Sequence, residues 1–379
     1  MKKHKILYIC TEQSPGMVPY ATQIIRTMAH SSLCEIYVLY VIDGRDCYRE
    51  LLPESIAQFT YTIPENKCSR LLYKIAPFDL INQIEKIGLM HSLNYIHLLT
   101  VDYVLGHFIK RIRRFAHIVY TVHDVYPHEV RLSFYEKLTN FYIQRQCSAI
   151  QKKVSNLVTN SLFQYQTLQK WYPKKKIQFH HFPSLVTDVM KNSEIVPAEL
   201  KGITEYILFF GTLHIYKGVK FLYQAYRKSR AYSHKLVIAG SGNLEFEYEK
   251  EDTNRIIRIN RFITDAEVSY LYKNALCVVY PYISATQSGV LSLAYHFRTP
   301  LIATKIDFFE EHIIDGKTGI LCSPHDIESL CNCLNAITDK TFNKEEMQAE
   351  QMKHYSEVYS PTQLMKEIET IYTENIYEK

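Results

Sequence analysis

The residues best suited to chemistry in this chain of 379 residues fall in two segments of its second half. In Phe210-Gly-Thr-Leu-His-Ile-Tyr-Lys-Gly-Val219 an apolar run ends at a glycine, and a lysine stands at the mouth of a helix. Gly211 lets backbone approach a ligand closely, and Lys217 can place a cation beside a diphosphate without metal. In Pro281-Tyr-Ile-Ser-Ala-Thr-Gln-Ser-Gly-Val290 a strand runs into a second helix, and the amides of Ser288, Gly289 and Val290 sit at its positive end. Thr286 and Gln287 add side-chain hydrogen bonds suited to a sugar or a phosphate. Alone, a turn glycine with an exposed lysine is commonplace, and Ser-Gly is an ordinary helix cap. Two such loops in one half of the chain make a diphosphate clamp the better reading.

The elements that must position these loops read as alternating short β runs and longer helical patterns, the pattern of parallel sheets wrapped by helices. Strands are expected at 5–10, 35–42, 95–99, 118–122 and 156–159, with a first helix over 21–30. The segment 173–205, with Pro183, Pro197 and Gly202, lacks periodicity and reads as a connection. The pattern then restarts, with strands at 206–210, 235–239, 255–259, 275–280 and 300–303 and helices at 218–228 and 289–297. A glycine turn, Gly240-Ser-Gly242, follows the second of these strands. A last helical stretch covers 361–377. Two doubly wound domains would bring two sets of strand C-termini together across a cleft, where such sheets bind ligands.

The second half resembles the donor-binding domain of glycosyltransferase family 4, retaining enzymes of the GT-B fold. The resemblance rests on 210–218, 236–242, 280–304 and 311–319, in order, and more weakly on Thr121-Val-His-Asp-Val-Tyr-Pro-His128 and Asn160-Ser161. It implies an α/β architecture of two Rossmann-like domains facing a central cleft. The expected divisions are an acceptor-binding domain over 1–190, a linker over 191–204, a nucleotide-sugar domain over 205–358, and a terminal helix over 359–379 that packs back on the first domain. The resemblance further implies a donor side built from Gly16, Gly211, Thr212, Lys217, Gly240, Thr286, Gln287, Ser288, Gly289, Val290 and Glu310. His123, Lys217 and Glu311 fill the catalytic positions, with Asp124 and His128 on the acceptor side. A neutral His123 imidazole would hydrogen-bond a sugar hydroxyl or help an acceptor proton leave.

The chain departs from the family pattern in places. Thr212 stands where an arginine usually assists the lysine, and Ala285 and Leu293 fall where two glutamates contact the donor sugar and ribose. Glu311 matches the family's glutamate before the Asp315-Gly-Lys-Thr-Gly319 turn. An altered donor grip is therefore expected. The expected activity is retaining sugar transfer from a nucleoside diphosphate sugar to a glycan or lipid-linked acceptor in surface-polysaccharide assembly, with no metal or other cofactor. The rivals are a nucleotide-sugar epimerase on the same scaffold and a noncatalytic binding partner of a transferase.

Composition bounds the rest. Hydrophobic residues are 47% and charged residues 22% of the chain, which argues against disorder or a disulfide mini-protein. Nine cysteines include no pair at the CxxC spacing of a zinc or redox site. No apolar run reaches the roughly 18 residues of a membrane span, and the run at 6–10 is too short for a signal peptide, so a cytoplasmic protein is expected. The net charge of +5 hides an asymmetry: residues 1–200 carry 24 Lys+Arg against 16 Asp+Glu, while the remainder carries a slight acidic excess. The basic half suits an anionic partner, whether nucleic acid, a membrane surface or a phosphorylated substrate. Lys110-Arg-Ile-Arg-Arg-Phe115 and Lys170-Trp-Tyr-Pro-Lys-Lys-Lys-Ile177 interleave cations with aromatics, a pattern that favours the inner face of an anionic membrane over nucleic acid.

Overall fold

The computed structural model describes residues 3–14, 16–44, 46, 48–125, 134–244, 246–285 and 287–373, with side chains 134–140 left aside. They fold as two compact units. The first comprises the chain up to Pro183 together with the terminal helix from Pro361; the second is built on Ser184–Ser360.

The first unit holds one seven-stranded sheet. Its strands are β1 (His4–Cys10), β2 (Cys34–Ile42), β3 (Ala57–Thr62), β4 (Tyr95–Leu98), β5 (His117–Thr121), β6 (Asn156–Thr159) and β7 (Lys176–Phe179). They lie in the order β3-β2-β1-β4-β5-β6-β7, and every neighbouring pair is parallel. The second unit repeats the plan with β8 (Tyr206–Phe210), β9 (Leu236–Ala239), β10 (Ile256–Ile259), β11 (Ala275–Tyr280), β12 (Leu301–Thr304) and β13 (Ile320–Cys322), ordered β10-β9-β8-β11-β12-β13. Central strands such as Tyr-Ile-Leu-Phe-Phe of β8 and Leu-Val-Ile-Ala of β9 are apolar at successive positions because helices cover both sheet faces.

This order fixes where ligands can go. In each sheet the winding reverses beside the first strand, so the loops leaving β1 and β4 diverge, as do those leaving β8 and β11. A crevice opens at the carboxyl end of such a switch point. The loops leaving β8 and β11 are the two segments singled out in the sequence.

Three strands were not expected. β3 and β7 are edge strands, and β13 has only three residues. The β3 residues Ala-Gln-Phe-Thr-Tyr-Thr are all half-buried or exposed, so they lack the apolar run that marked the inner strands. β7 lies inside the segment read as a connection. The first helix spans Met17–Met28, starting and ending earlier than expected, because it begins directly after Gly16.

The passage between units also differs from the expected boundary at 190. Val186 and Met190 belong to the second unit's core, and the Leu185 amide donates to Ser292 Oγ at 3.0 Å. The 191–204 stretch packs there too: Leu200 is fully buried, and the Ile195 amide reaches the Ala266 carbonyl. The terminal helix spans Pro361–Thr373 and closes on the first unit, where Tyr95 donates from its hydroxyl to the Tyr372 carbonyl. Among the described residues no helix is long and apolar enough to cross a membrane.

Candidate functional site

The second unit's switch point is assembled by glycines. β8 runs into Gly211 at φ +139°, where a Cβ would lie 3.0 Å from Lys217 Nζ. Gly218, at φ +67°, has the Pro281 carbonyl oxygen 1.9 Å from where its Cβ would stand. Gly218 is required for space as well as for backbone angle, whereas Gly211 is required by its angle, since the lysine end beside it could move. Gly240 is required on both counts in the neighbouring loop, with the Gly211 carbonyl oxygen 2.0 Å from its Cβ position. Two backbone bonds complete the frame: Leu213 N–H to Ser241 at 2.9 Å and Ile283 N–H to Tyr216 at 2.6 Å. The loops leaving β8, β9 and β11 thus meet around the short turn Ile215–Lys217.

Lys217 is the chemical centre of that frame. Its ammonium lies 5.5 Å from the centre of the Tyr282 ring and has neither hydrogen bond nor ion pair among the described residues. Its side chain is partly buried, and desolvation lowers its pKa to about 8. A partly desolvated cation with no counterion among the described residues is poised for an anion. The Tyr282 hydroxyl is buried and makes no hydrogen bond of normal geometry, although the Ser288 side chain is near enough to offset part of the rise that burial causes in its pKa.

The helix Val290–Phe297 begins after Gly289 with no side-chain cap and no acid in its first turn. Its first amides lack intrahelical acceptors and carry the positive end of the dipole. Tyr280 anchors this end by donating to the Val290 carbonyl, and Ser292 donates to that of Gly289. Ser288 and Gln287 are partly buried in the same loop; Thr286 lies outside the described residues. Thr212 is partly buried after Gly211. Of the two positions at which the family carries glutamates, Ala285 is partly exposed but Leu293 is packed in the core, so no local shift lets it reach a ribose.

Glu310 and Glu311 lie on the helix Asp307–His312, which follows β12. Glu310 is exposed and pairs with Lys305 at 3.6 Å, while Glu311 is half-buried.

In the first unit His123 follows β5 but is buried, 1% exposed, with Nε2 donating to the Leu99 carbonyl at 2.8 Å and the ring edge-on to Tyr20 at 4.9 Å. That bond leaves Nδ1 without the proton, and burial holds the pKa below the ordinary histidine value. The imidazole is therefore a neutral, fixed hydrogen-bonding group. Gln164 locks the turn, donating to the His123 carbonyl and accepting from the Val125 amide, both at 2.9 Å. Asp124 is exposed. His128 lies outside the described residues. Gly16 has φ −85° and open space at its Cβ position, so neither angle nor packing requires glycine there.

Several participants were not foreseen. Tyr282 lies within the quoted Pro281 segment, but nothing in the sequence showed that its ring would face Lys217. Glu12 ends up beside Asp124, with its pKa raised by burial first and by that neighbour's charge. Its position directly after a strand at the switch point was the available signal. The two basic segments separate: Lys110, Arg113 and Arg114 are exposed, whereas Lys175 donates to the carbonyls of Gln151, Lys152 and Val154 and so closes a helix end.

Residues 204–340 match the family described as "Glycosyl transferases group 1". The O-antigen chain mannosyltransferase C of Escherichia coli is 23% identical over 266 residues, covering 68% of this chain and 69% of that protein. A glycogen synthase of Mycobacterium tuberculosis is 29% identical over 150 residues, 38% of this chain and 34% of its own. Among solved structures, Anabaena Alr3699/HepE in complex with UDP and glucose superposes with TM-score 0.72 at 18% identity, over 98% of this chain and all of that one. The lipopolysaccharide-biosynthesis glycosyltransferase WaaG superposes with TM-score 0.62 at 16% identity, again over 98% and 100%. The architecture is that of two parallel-sheet, Rossmann-like α/β domains, shared with GT-B glycosyltransferases.

Proposed function

We propose that this protein transfers a sugar, with retention of anomeric configuration, from a nucleoside diphosphate sugar to a hydroxyl of a glycan or lipid-linked acceptor in surface-polysaccharide assembly. The observation that carries this reading is the desolvated Lys217, without a counterion, at the same switch point as an uncapped helix N-terminus. Solved relatives of the fold are in complex with UDP and with UDP-glucose, which supports a nucleotide-sugar donor.

In this reaction the bond between the anomeric carbon and the diphosphate oxygen breaks, and its electron pair leaves with the nucleoside diphosphate. The acceptor oxygen bonds to the anomeric carbon from the same face, and its proton passes to the departing phosphate. Negative charge grows on that phosphate as the bond breaks. Lys217 and the amides of Gly289 and Val290 are placed to stabilise it, where preorganised charge contributes most. They supply the positive field themselves, so the proposed step uses no metal. Thr212, Gln287 and Ser288 line the same loops, and Glu311 is the carboxylate left to orient the donor sugar. The neutral His123 and the adjacent Asp124 serve the acceptor side, His123 as a hydrogen-bonding group.

A thermal-shift screen against uridine, guanosine and adenosine diphosphate sugars tests the donor assignment, since selective binding raises apparent stability. One donor should shift the melt. With a lipid-linked oligosaccharide fraction added, that donor should release its nucleoside diphosphate and label the acceptor. Absence of a shift with all three would contradict the assignment. Isomerisation of the sugar without acceptor would point to an epimerase.

A further inference from the structure

We propose that the first unit docks on an anionic lipid bilayer through the helix Lys67–Ile75 and its neighbours. This helix buries a single side chain, Tyr73. Leu71, Leu72 and Ile75 are each 59% exposed, far more than a helix covering a sheet would leave in water. The apolar surface continues beyond the helix. Phe78, half-exposed, packs edge-on against Phe108 at 5.6 Å, and Phe141 is exposed beside Tyr142, whose hydroxyl donates to the Lys74 carbonyl at 3.0 Å. Contiguous exposed apolar surface of this kind marks an interaction site.

The cations around it select the partner. Arg70 is paired with Asp43 and Arg111 with Glu85. Lys67, Lys74 and Lys110 are exposed, with no acid paired to them among the described residues, while Arg113 and Arg114, also exposed, lie further along, on the turn whose Phe115 meets Gly88. Among the described residues the neighbouring acids without a paired cation are Glu65 and Asp79, so the described rim is net positive. Large aliphatic and phenylalanine side chains ringed by lysine and arginine fit the interface of an anionic membrane, where the apolar groups enter the acyl boundary and the cations meet lipid phosphates. A bilayer offers phosphate and acyl chain in adjoining layers, which matches cations set at the rim of protruding aliphatics.

The site also lies where it would be useful. The helix Lys67–Ile75 and the start of the helix Phe78–His91 follow the carboxyl end of β3, and in a parallel sheet this is the end that carries His123. A bilayer at this surface would bring lipid-borne molecules toward that end. The proposal itself stands on exposure and charge and does not require the transfer reaction.

Flotation of the full chain with vesicles tests it. The protein should float with phosphatidylcholine vesicles containing phosphatidylglycerol, less so as salt is raised, and weakly with phosphatidylcholine alone. Leu71→Gln with Leu72→Gln should lower partitioning about tenfold or more. Lys74→Glu with Lys110→Glu should do likewise. All four positions are exposed, so an unchanged circular dichroism melt is expected. Leu89→Gln with Met90→Gln removes equally exposed apolar groups further along the helix Phe78–His91 and should leave binding intact. No flotation of the unmodified protein, or equal flotation of the Leu71/Leu72 variant, would overturn the proposal. So would a solution dimer that this variant dissolves in the absence of vesicle binding.

Discussion

Replacing Lys217 with Met should make the ligand-free protein more stable while removing its response to nucleoside diphosphate sugars. The ammonium's pKa falls from 10.5 to about 8 because burial disfavours the charged form. At about 1.4 kcal/mol per pKa unit, this corresponds to an upper bound of roughly 3 kcal/mol, reduced by the side chain's remaining exposure to about 1–3 kcal/mol. The sign follows from proton binding. Below pH 8 both folded and unfolded chains carry the proton, and the full penalty applies. Between about 8 and 10.5 the unfolded chain holds more proton than the folded one, so stability rises with pH and the penalty disappears. The Met variant should therefore melt several degrees higher at pH 7, with the gap closing as pH rises through that window. A bound diphosphate reverses the balance by supplying the missing anion, so only the unmodified protein should gain stability from the donor. Thermal melts across pH, with and without nucleotide sugar, read both effects. An unchanged melt and an unchanged donor shift in the Met variant would refute the picture of a desolvated, anion-binding lysine.

Other consequences are independent of that titration. Gly218→Ala puts a Cβ against the Pro281 carbonyl at a positive φ, and should cost about 1–3 kcal/mol in urea unfolding and abolish the donor shift. His180 is buried beside Tyr20 and Asn160 with its pKa lowered to about 4, chiefly by desolvation. The unfolded chain protonates it first, so the urea midpoint should fall as pH drops from about 6.5 towards 4, by a free energy on the order of 3 kcal/mol, and less steeply in His180→Gln. Glu311→Gln should reduce transfer more than Glu310→Gln, since Glu310 is exposed and paired with Lys305; steady-state rates at saturating donor decide this.

The sequence made the second unit more legible than the first. β8, β9 and β11 are continuous apolar runs, the first two ending at a glycine and the third at a proline, a pattern that burial on both faces demands, and the loops that follow β8 and β11 carry Gly211, Lys217 and Gly289 to the switch point. Edge strands carried no such mark: β3 is half-polar because only one neighbour and part of one face cover it. The passage between units was misplaced because 184–204 has loop-like composition while Val186, Met190 and Leu200 still serve as packing residues. Within the site, glycines and lysine were visible as types at fixed spacing. Contacts between distant segments were not: the Tyr282 ring under Lys217, the Leu99 carbonyl on His123 and the Gln164 clamp depend on how strands are ordered in the sheet. His123 shows the limit most clearly. Its place after a strand was readable, but its burial was not.

The most direct test of the central claim is calorimetric titration of the full chain with nucleoside diphosphates, compared with the corresponding nucleosides. A grip centred on Lys217 and the amides of Gly289 and Val290 predicts that one diphosphate binds and that its nucleoside binds far more weakly, with affinity falling as pH rises above about 8. Equal affinity for diphosphate and nucleoside, or no binding by any diphosphate, would contradict it.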